Sequence, residues 1–194
     1  MPSPKDEVAF SWDWLLFQKD DIELLTFLLL NNERFVGSLS ELCRALGRSD
    51  NTRSRNKRQE AIERLCAEGV ISHHQLSQRR FEILIVPPIE EKQIGIERQR
   101  LENIRSRQYD RDVAWQQVLK VYLWLNCGSG VVEFQRQQVA SALGVSNSTI
   151  SSAIRVLEDH YGAISTRRLG YVDADGNPRC SGQEASLSAF WLND

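Results

Sequence analysis

The sequence predicts a mainly α-helical α+β fold in which one arrangement of helices followed by a β-hairpin occurs twice. Three observations support this prediction. Apolar residues recur at helical spacing in several segments, glycines directly follow these segments, and paired extended runs come after two of them. With 41% hydrophobic and 26% charged residues, 11 glycines and 5 prolines, the 194-residue chain is typical of a folded protein rather than a disordered one.

Residues 1–17 are expected to form an N-terminal aromatic arm. Phe10, Trp12 and Trp14 alternate with other residues, which predicts a short extended segment with one aromatic side. Such an arm needs a surface to dock on. A partner-docking role for Trp12 and Trp14 is therefore an open hypothesis.

The first copy of the repeated plan follows this arm. Asp20 or Asp21 can cap a helix that runs to about Asn32. Ser38 and Glu41 have the spacing of a capping box, which predicts that a second helix begins directly after Ser38. The remaining elements of this copy are a short helix at 39–46, a lengthened polar turn at 48–54, a third helix at about 55–68, and extended runs at 70–76 and 80–86.

The second copy has the same order of elements. It consists of an apolar helix at 115–126, a short helix at 135–143, a turn and cap at 146–148, a helix at 149–160, a strand at 164–172, a turn at 173–178 and a returning strand at 185–192. Gly144 and Gly162 are expected to end the two later helices.

A charged segment connects the two copies. Between Glu90 and Asp112 there are six basic and six acidic residues, which predicts a long, solvated helix with ion pairs at helical spacing, continuous with the helix that begins at Trp115. Ile94, Leu101 and Ile104 lie near one seam of this helix. The helix is therefore either a simple connector or one half of a dimerising helix pair.

The charge of the chain is unevenly distributed. The net charge of −2 and the pI near 6.0 argue mildly against a nucleic-acid partner. Residues 1–33, however, contain two basic and seven acidic residues, a net of −5, whereas residues 44–58 contain six basic residues and one acidic residue, a net of +5. The basic charge is thus concentrated where an anionic partner could use it.

Two segments resemble the winged helix-turn-helix family. Leu42–Gly47 followed by Ala61–Ile71 is similar to one such domain, and Val139–Glu158 is similar to a second. The resemblance implies two winged-helix domains, at 18–88 and 115–194, joined by a helical linker at 89–114. It also implies double-stranded DNA as the partner, bound by the third helix and the hairpin of each domain. Tandem winged helices of this size resemble plasmid replication initiators and transcription regulators alike.

The third helix of each copy has a polar first half and an apolar second half, as a helix that enters the major groove requires. Arginine can bind guanine through two hydrogen bonds and asparagine can bind adenine, while serine and threonine suit phosphate contacts. Arginines of the hairpins can contact phosphates or a minor groove. The predicted DNA-binding residues are Arg48, Asn51, Thr52, Arg53, Arg55, Asn56, Lys57, Arg58, Arg79, Arg80, Asn147, Ser148, Thr149, Ser151, Ser152, Arg155, Arg167 and Arg168.

A competing hypothesis is a protein-interaction scaffold similar to the tandem winged-helix subunits of SMC-kleisin complexes. The acidic first 33 residues and the aromatic arm favour the scaffold, and the basic stretch favours DNA. A homodimer formed through the linker helix or the arm is compatible with either hypothesis.

Other function classes find little support. No Ser or Cys nucleophile accompanies His73, His74 or His160 in a recognisable motif, so we expect no enzymatic activity and no cofactor. The four cysteines have no C-x-x-C spacing, so neither a metal site nor a disulfide framework is expected, and Cys43 and Cys66 are expected on apolar helix faces. No apolar stretch approaches the roughly 20 residues that cross a bilayer, and no signal-peptide pattern is present, which predicts a cytoplasmic location.

Overall fold

A computed structural model describes residues 7–87, 93–106, 113–126 and 130–188. These residues form an α+β fold with seven α-helices and small antiparallel sheets. The chain divides into two compact units. The first unit is Glu7–Gln93, and the second comprises the described residues from Ile94 onward.

The first unit contains a three-stranded antiparallel sheet and three helices. Its elements are β1 (Glu7–Ser11), a 3-10 turn (Asp13–Leu16), α1 (Lys19–Leu30), β2 (Arg34–Gly37), α2 (Leu39–Ala45), α3 (Thr52–Ala67), β3 (Ile71–Ser77) and β4 (Arg80–Ile85). Strand β4 lies between β2 and β3. Helices α1 and α2 pack against α3, and the buried residues Leu25, Leu42 and Ile62 belong to these three helices.

The caps define where these helices begin. The backbone N–H of Ser38 donates to the Glu41 carboxylate at 2.6 Å, and the N–H of Glu41 donates to Ser38 Oγ at 3.3 Å, which confirms the predicted capping box. Asn51 Oδ1 accepts a hydrogen bond from the backbone N–H of Ser54 at 2.8 Å. Because Asn51 is the cap, α3 begins at Thr52, three residues before the position that the sequence predicts.

The second unit has the same order of elements after its first strand and helix. It consists of β5 (Gln93–Glu97, which begins at the boundary), α4 (Arg98–Ser106), α5 (Trp115–Asn126), β6 (Val131–Phe134), α6 (Arg136–Leu143), α7 (Asn147–Arg155), a π-helical continuation (Val156–His160), β7 (Ile164–Val172) and β8 (Pro178–Leu187). Strand β8 lies between β6 and β7, as β4 lies between β2 and β3. Gly144 ends α6 with a φ of +64°, a left-handed conformation that favours glycine.

Two features of the sheets differ from the sequence prediction. Strands β2 and β6 were not predicted, because each has only four residues and pairs with a strand distant in the sequence. Strand β8 begins at Pro178 rather than at residue 185, because its polar first half pairs with the exposed half of β7. The predicted end of this strand, residues 189–192, lies outside the described residues, as does Pro88.

The aromatic arm is only partly extended. Strand β1 ends at Ser11, and Asp13–Leu16 form a 3-10 turn, so the prediction of an extended segment through Trp14 is wrong. Phe10 and Trp14 are buried and contact each other edge to face, with 6.0 Å between the ring centroids. Trp14 is therefore a core residue rather than a docking residue, while Trp12 stays partly exposed.

The connecting segment is not one long solvated helix. Residues 93–97 form strand β5, and Val113 and Ala114 precede α5 without helical structure. Residues 89–92 and 107–112 of the predicted linker lie outside the described residues. Helix α4 packs on α5, and its Leu101 and Ile104 are fully buried, so these two residues do not form an exposed seam. The prediction failed because the balanced charges of this segment conceal a short amphipathic helix.

Candidate functional site

An open groove in the second unit lies between the N-termini of α6 and α7 and the β7–β8 hairpin. It is lined by Gln135, Arg136, Gln137, Asn147, Ser151, Arg168, Cys180, Ser181, Gly182 and Gln183. Two guanidinium groups line it, and among the described residues no carboxylate does. The remaining polar side chains supply amide and hydroxyl groups. This composition is that of a site for an anion.

Arg136 is held in a fixed orientation across the groove. As the first residue of α6, it donates from Nε to Gln183 Oε1 at 2.6 Å and from Nη1 to Ser151 Oγ at 3.1 Å. These bonds connect α6 to β8 and to α7. Within the described parts of the chain, Nη2 has no hydrogen-bond partner, so this nitrogen can bind a ligand.

Arg168 enters the groove from strand β7. It lies directly opposite Gln183 in the β7–β8 pairing, on the same face of the hairpin. Among residues 7–87, 93–106, 113–126 and 130–188, the side chain of Arg168 has no hydrogen bond or ion pair. Arg167 points to the opposite face, where its Nη2 lies 3.0 Å from the Glu184 carboxylate. Of the two predicted hairpin arginines, Arg168 is thus in the groove and Arg167 is outside it.

A glycine allows the strands behind the groove to approach closely. A Cβ atom at Gly182 would lie 2.9 Å from the carbonyl oxygen of Phe134, which is closer than real side chains come. A larger residue at this position would therefore push β6 away from β8 and move Gln183, the partner of Arg136.

The hydroxyl groups of α7 are largely bonded within the helix. Ser146 Oγ caps the helix by accepting from the N–H of Thr149 at 3.1 Å, and it also contacts the hydroxyls of Ser148 and Thr149. Ser151 donates to the carbonyl oxygen of Asn147 at 2.9 Å while it accepts from Arg136. The Asn147 side chain is exposed in the groove, and Ser152 and Arg155 lie further along the helix, half-buried and exposed. These predicted residues thus share one face, with few hydroxyls left for a ligand.

Helix α3 of the first unit presents a different surface. Thr52, Arg53, Asn56 and Lys57 are exposed at its N-terminal half, as predicted, and Asn51 caps it. Arg55 is half-exposed, with Nε 3.4 Å from the Asp50 carboxylate. The exposed face therefore combines two cations with an amide.

Arg58 is not a surface residue, so the prediction that it contacts DNA is wrong. Its side chain is 3% exposed and forms ion pairs with Glu23 and Asp20 of α1. The Glu23 carboxylate, 4% exposed, also accepts a hydrogen bond from Nε of Arg48 at 3.0 Å. With Arg55, three of the predicted DNA-binding arginines are thus paired with carboxylates of the same unit, which removes part of the basic charge that the sequence offers.

A further ion pair extends this network along α3. Arg64, near the end of the helix, donates from Nη2 to Asp21 Oδ1 at 2.7 Å, and this hydrogen bond raises the pKa of Arg64 above its usual value. Three carboxylates of α1 therefore bind arginines of the segment that follows it. The α1 carboxylates (Asp20, Asp21 and Glu23) attach α1 to α3 and fix the orientation of α3 in the unit.

The hairpin of the first unit also has exposed arginines. Arg79 and Arg80 lie at the turn between β3 and β4, and both are exposed. The pKa of Glu41 is lowered, mainly by the hydrogen bonds that it accepts from Ser38 and to a smaller extent by the charge of Arg80. Arg80 thus lies within electrostatic reach of the start of α2.

Sequence reasoning missed Arg136, Gln183 and the other lining residues that come from α6 and β8. Arg136 is the first residue after the cap Gln135, and the packing of α6 on α7 brings the start of α6 beside Ser151 of α7. The position of Arg136 directly after a helix cap was the sequence signal that could have identified it as a site residue. Gln183 had none, because it lies in the first half of β8, which the predicted strand at 185–192 did not include.

Metal and membrane sites are not observed in the part of the chain that the structure describes. There, no three His, Cys, Asp or Glu side chains are grouped as ligands of a metal ion. His73 packs against the ring of Phe81, with 5.1 Å between centroids. Cys43 is buried, Cys66 half-buried and Cys180 exposed, and Cys127 lies outside the described residues. None of the described helices combines the length and the hydrophobicity of a membrane span.

No protein-family model matches the chain, and no curated protein matches it with statistical significance.

Proposed function

We propose that each unit is a winged-helix domain and that the protein binds double-stranded DNA, without catalysing a reaction on it. In both units a helix and a strand precede two adjacent helices, and two further strands follow, the last of them central in the sheet. This order is typical of winged helices, in which the second of the adjacent helices enters the major groove and the hairpin contacts the flanking backbone.

The groove of the second unit is the observation on which the proposal mainly depends. Arg136 and Arg168 converge on one open surface that no described carboxylate lines. Guanidinium groups bind phosphate oxygens through pairs of hydrogen bonds, and the N-terminus of α7 beside them favours an anion as well. The surface also lies where a duplex would pass between the second helix and the hairpin of a winged helix.

The net charge of −2 does not oppose this proposal. Nucleic-acid binding depends on the charge of the contact surface, because salt screens charges that lie more than about 8 to 10 Å away. Arginines of the first unit neutralise three acidic residues of segment 1–33, namely Asp20, Asp21 and Glu23. Their acidity is therefore a weak argument for the scaffold hypothesis.

The proposal covers two roles, a replication initiator and a transcription regulator. Both need a duplex-binding protein, and they differ in whether the bound sites lie in a replication origin or near a promoter. We propose no further distinction, because the groove and α3 serve either role equally.

The proposal is tested by measuring the anisotropy of a fluorescent duplex as the protein is added at several salt concentrations. We expect log Kd to rise with log salt concentration by about 0.9 for each phosphate that the protein neutralises. Arg168→Gln should lower this slope by about 0.9, since it removes one phosphate contact.

The matched control is Arg167→Gln, which removes a neighbouring arginine that lies outside the groove. It should leave the slope nearly unchanged. The proposal is wrong if the unaltered protein has no measurable affinity for the duplex at low salt, or if the two variants lower the slope equally.

A further inference from the structure

We propose that the two units divide recognition: α3 of the first unit selects the base sequence, and the groove of the second unit binds phosphates regardless of sequence. This inference rests on the proposed DNA binding and assigns a separate role to each unit. It follows from comparing equivalent positions of the two copies.

The caps provide the alignment of the two helices. Asn51 and Ser146 are the N-caps of α3 and α7, and each side chain accepts a hydrogen bond from the backbone N–H three residues later. Residues at the same distance from the caps are therefore equivalent. The pairs on the exposed face are Arg53 with Ser148, Asn56 with Ser151, and Lys57 with Ser152.

Helix α3 has the chemistry for reading bases. Arg53 and Asn56 are exposed and, in the described part of the chain, have no ion pair or hydrogen bond through their side chains. An arginine in the major groove can donate two hydrogen bonds to guanine, and an asparagine can both donate to and accept from adenine. These side chains can therefore discriminate between bases.

Helix α7 lacks these groups at the equivalent positions. Ser148 and Ser151 are short, and their hydroxyls are engaged with Ser146, Asn147 and Arg136. A serine forms single hydrogen bonds that fit several bases, so it discriminates weakly. Asn147 is the one amide of α7, and it lies in the groove beside the guanidinium groups.

The two arginines of the groove belong to the second unit, and uncharged residues occupy the equivalent positions of the first unit. Arg136 directly follows the cap of α6, and the equivalent residue after the cap Ser38 of α2 is Leu39. Arg168 is opposite Gln183 in its sheet, and the residue opposite the equivalent Phe81 is Gln75, which is uncharged. The first unit therefore has no cation at the positions equivalent to Arg136 and Arg168, and its exposed hairpin arginines, Arg79 and Arg80, lie at the β3–β4 turn instead.

The position of these arginines suits phosphates better than bases. They lie on the first turn of α6 and on the hairpin rather than on the exposed face of α7 itself. The bonds from Arg136 to Gln183 and Ser151 hold its guanidinium beside α7. Contacts at the edges of a recognition helix are made with the DNA backbone and contain no direct sequence information.

The test combines selection from a pool of random duplexes with affinity measurements on the selected duplex and a scrambled one. Asn56→Ala should lower affinity for the selected duplex by about 10- to 100-fold, change the selected motif, and leave the salt slope unaltered, because no charge is removed. Arg53→Ala should also change the motif. Arg34→Ala, in an exposed ion pair on β2, is the control for the first unit.

Arg168→Gln should weaken binding to both duplexes by the same factor, keep the selected motif, and lower the slope by about 0.9. The side chain of Arg168 has no described partner, so its replacement should not disturb the structure. Arg167→Gln is its matched control. The combination of Arg136→Gln with Arg168→Gln should lower the slope by about 1.8.

The outcomes separate the two proposals. If the unaltered protein selects no motif but binds all duplexes, or if Arg168→Gln alters the motif while Asn56→Ala does not, the division of roles is wrong and DNA binding stands. If no duplex binds, both proposals fail. The division of recognition between the two units is supported if Asn56→Ala changes the selected motif and Arg168→Gln leaves it unchanged.

Discussion

Replacement of Glu23 by glutamine tests whether the α1 carboxylates stabilise the first unit. The two carboxylate oxygens of Glu23 bind Arg48 and Arg58, and Glu23 and Arg58 are both almost fully buried. Glutamine keeps the size of the side chain but removes its charge and one acceptor. The substitution therefore leaves the buried guanidinium of Arg58 with only one carboxylate partner, Asp20.

The expected loss in the free energy of unfolding is about 3 kcal/mol. Breaking a buried ion pair by removing one partner usually costs about 3 to 5 kcal/mol, because the remaining charge is left without compensation. The lower end applies here, since Asp20 still contacts Arg58 and is 30% exposed, so water can also reach this side of the network.

Urea unfolding of the full chain, followed by far-ultraviolet circular dichroism, measures this loss. The matched control is Glu82→Gln, which breaks the pair between Glu82 and the 60% exposed Arg34 and should cost less than about 1 kcal/mol. If Glu23→Gln costs no more than Glu82→Gln, the network does not stabilise the unit and the reasoning is refuted.

A double replacement, Glu23→Leu with Arg58→Met, should recover part of the loss, because a well-packed apolar pair avoids the desolvation of buried charges.

Two other predictions concern single side chains. Ser146→Ala removes the cap of α7 and should lower the free energy of unfolding by about 1 kcal/mol in the same urea assay. Ser146→Asn can still accept a hydrogen bond from the N–H of Thr149, so it should retain most of the stability that the cap provides. Cys180, exposed in the groove, should react with a thiol reagent in the native protein well before the fully buried Cys43, whose pKa is raised by burial so that the thiol form persists to higher pH. Mass spectrometry of modified peptides checks this order, and equal rates would contradict the burial of Cys43.

The order of helices and hairpins was predictable because local signals define it. Several helix ends are marked by residues that are close to them in the sequence. The capping box of Ser38 and Glu41 marks the start of α2, and the left-handed glycines Gly47 and Gly144 mark the ends of α2 and α6. Strands β2 and β6 had no such local signal. They exist because β4 and β8 offer unpaired edges to segments that are distant in the sequence.

The segregation of charge along the sequence does not produce two separate charged surfaces. Glu23 of the acidic segment binds Arg48 and Arg58 of the basic segment. Two oppositely charged helices that pack in one domain are expected to pair those charges, so the sequence contains the signal for this network. The groove of the second unit was less predictable, since Arg136, Arg168 and Gln183 come together only through the sheet pairing and the helix packing.

The burial of Arg58 also follows from the helix period, once the position of the cap is known. Arg58 is the seventh residue after the cap Asn51, and the seventh residue after the cap Ser146 is Ala153, which is fully buried in α7. With 3.6 residues per turn, the distance from the cap determines which face a residue occupies, whatever its chemical type. The inward position is thus filled by a small apolar residue in one copy and by an arginine with two carboxylate partners in the other. A buried arginine at this position can be tolerated only while α1 supplies those carboxylates, so in the first unit Arg58 and the acidic residues of α1 have to change together.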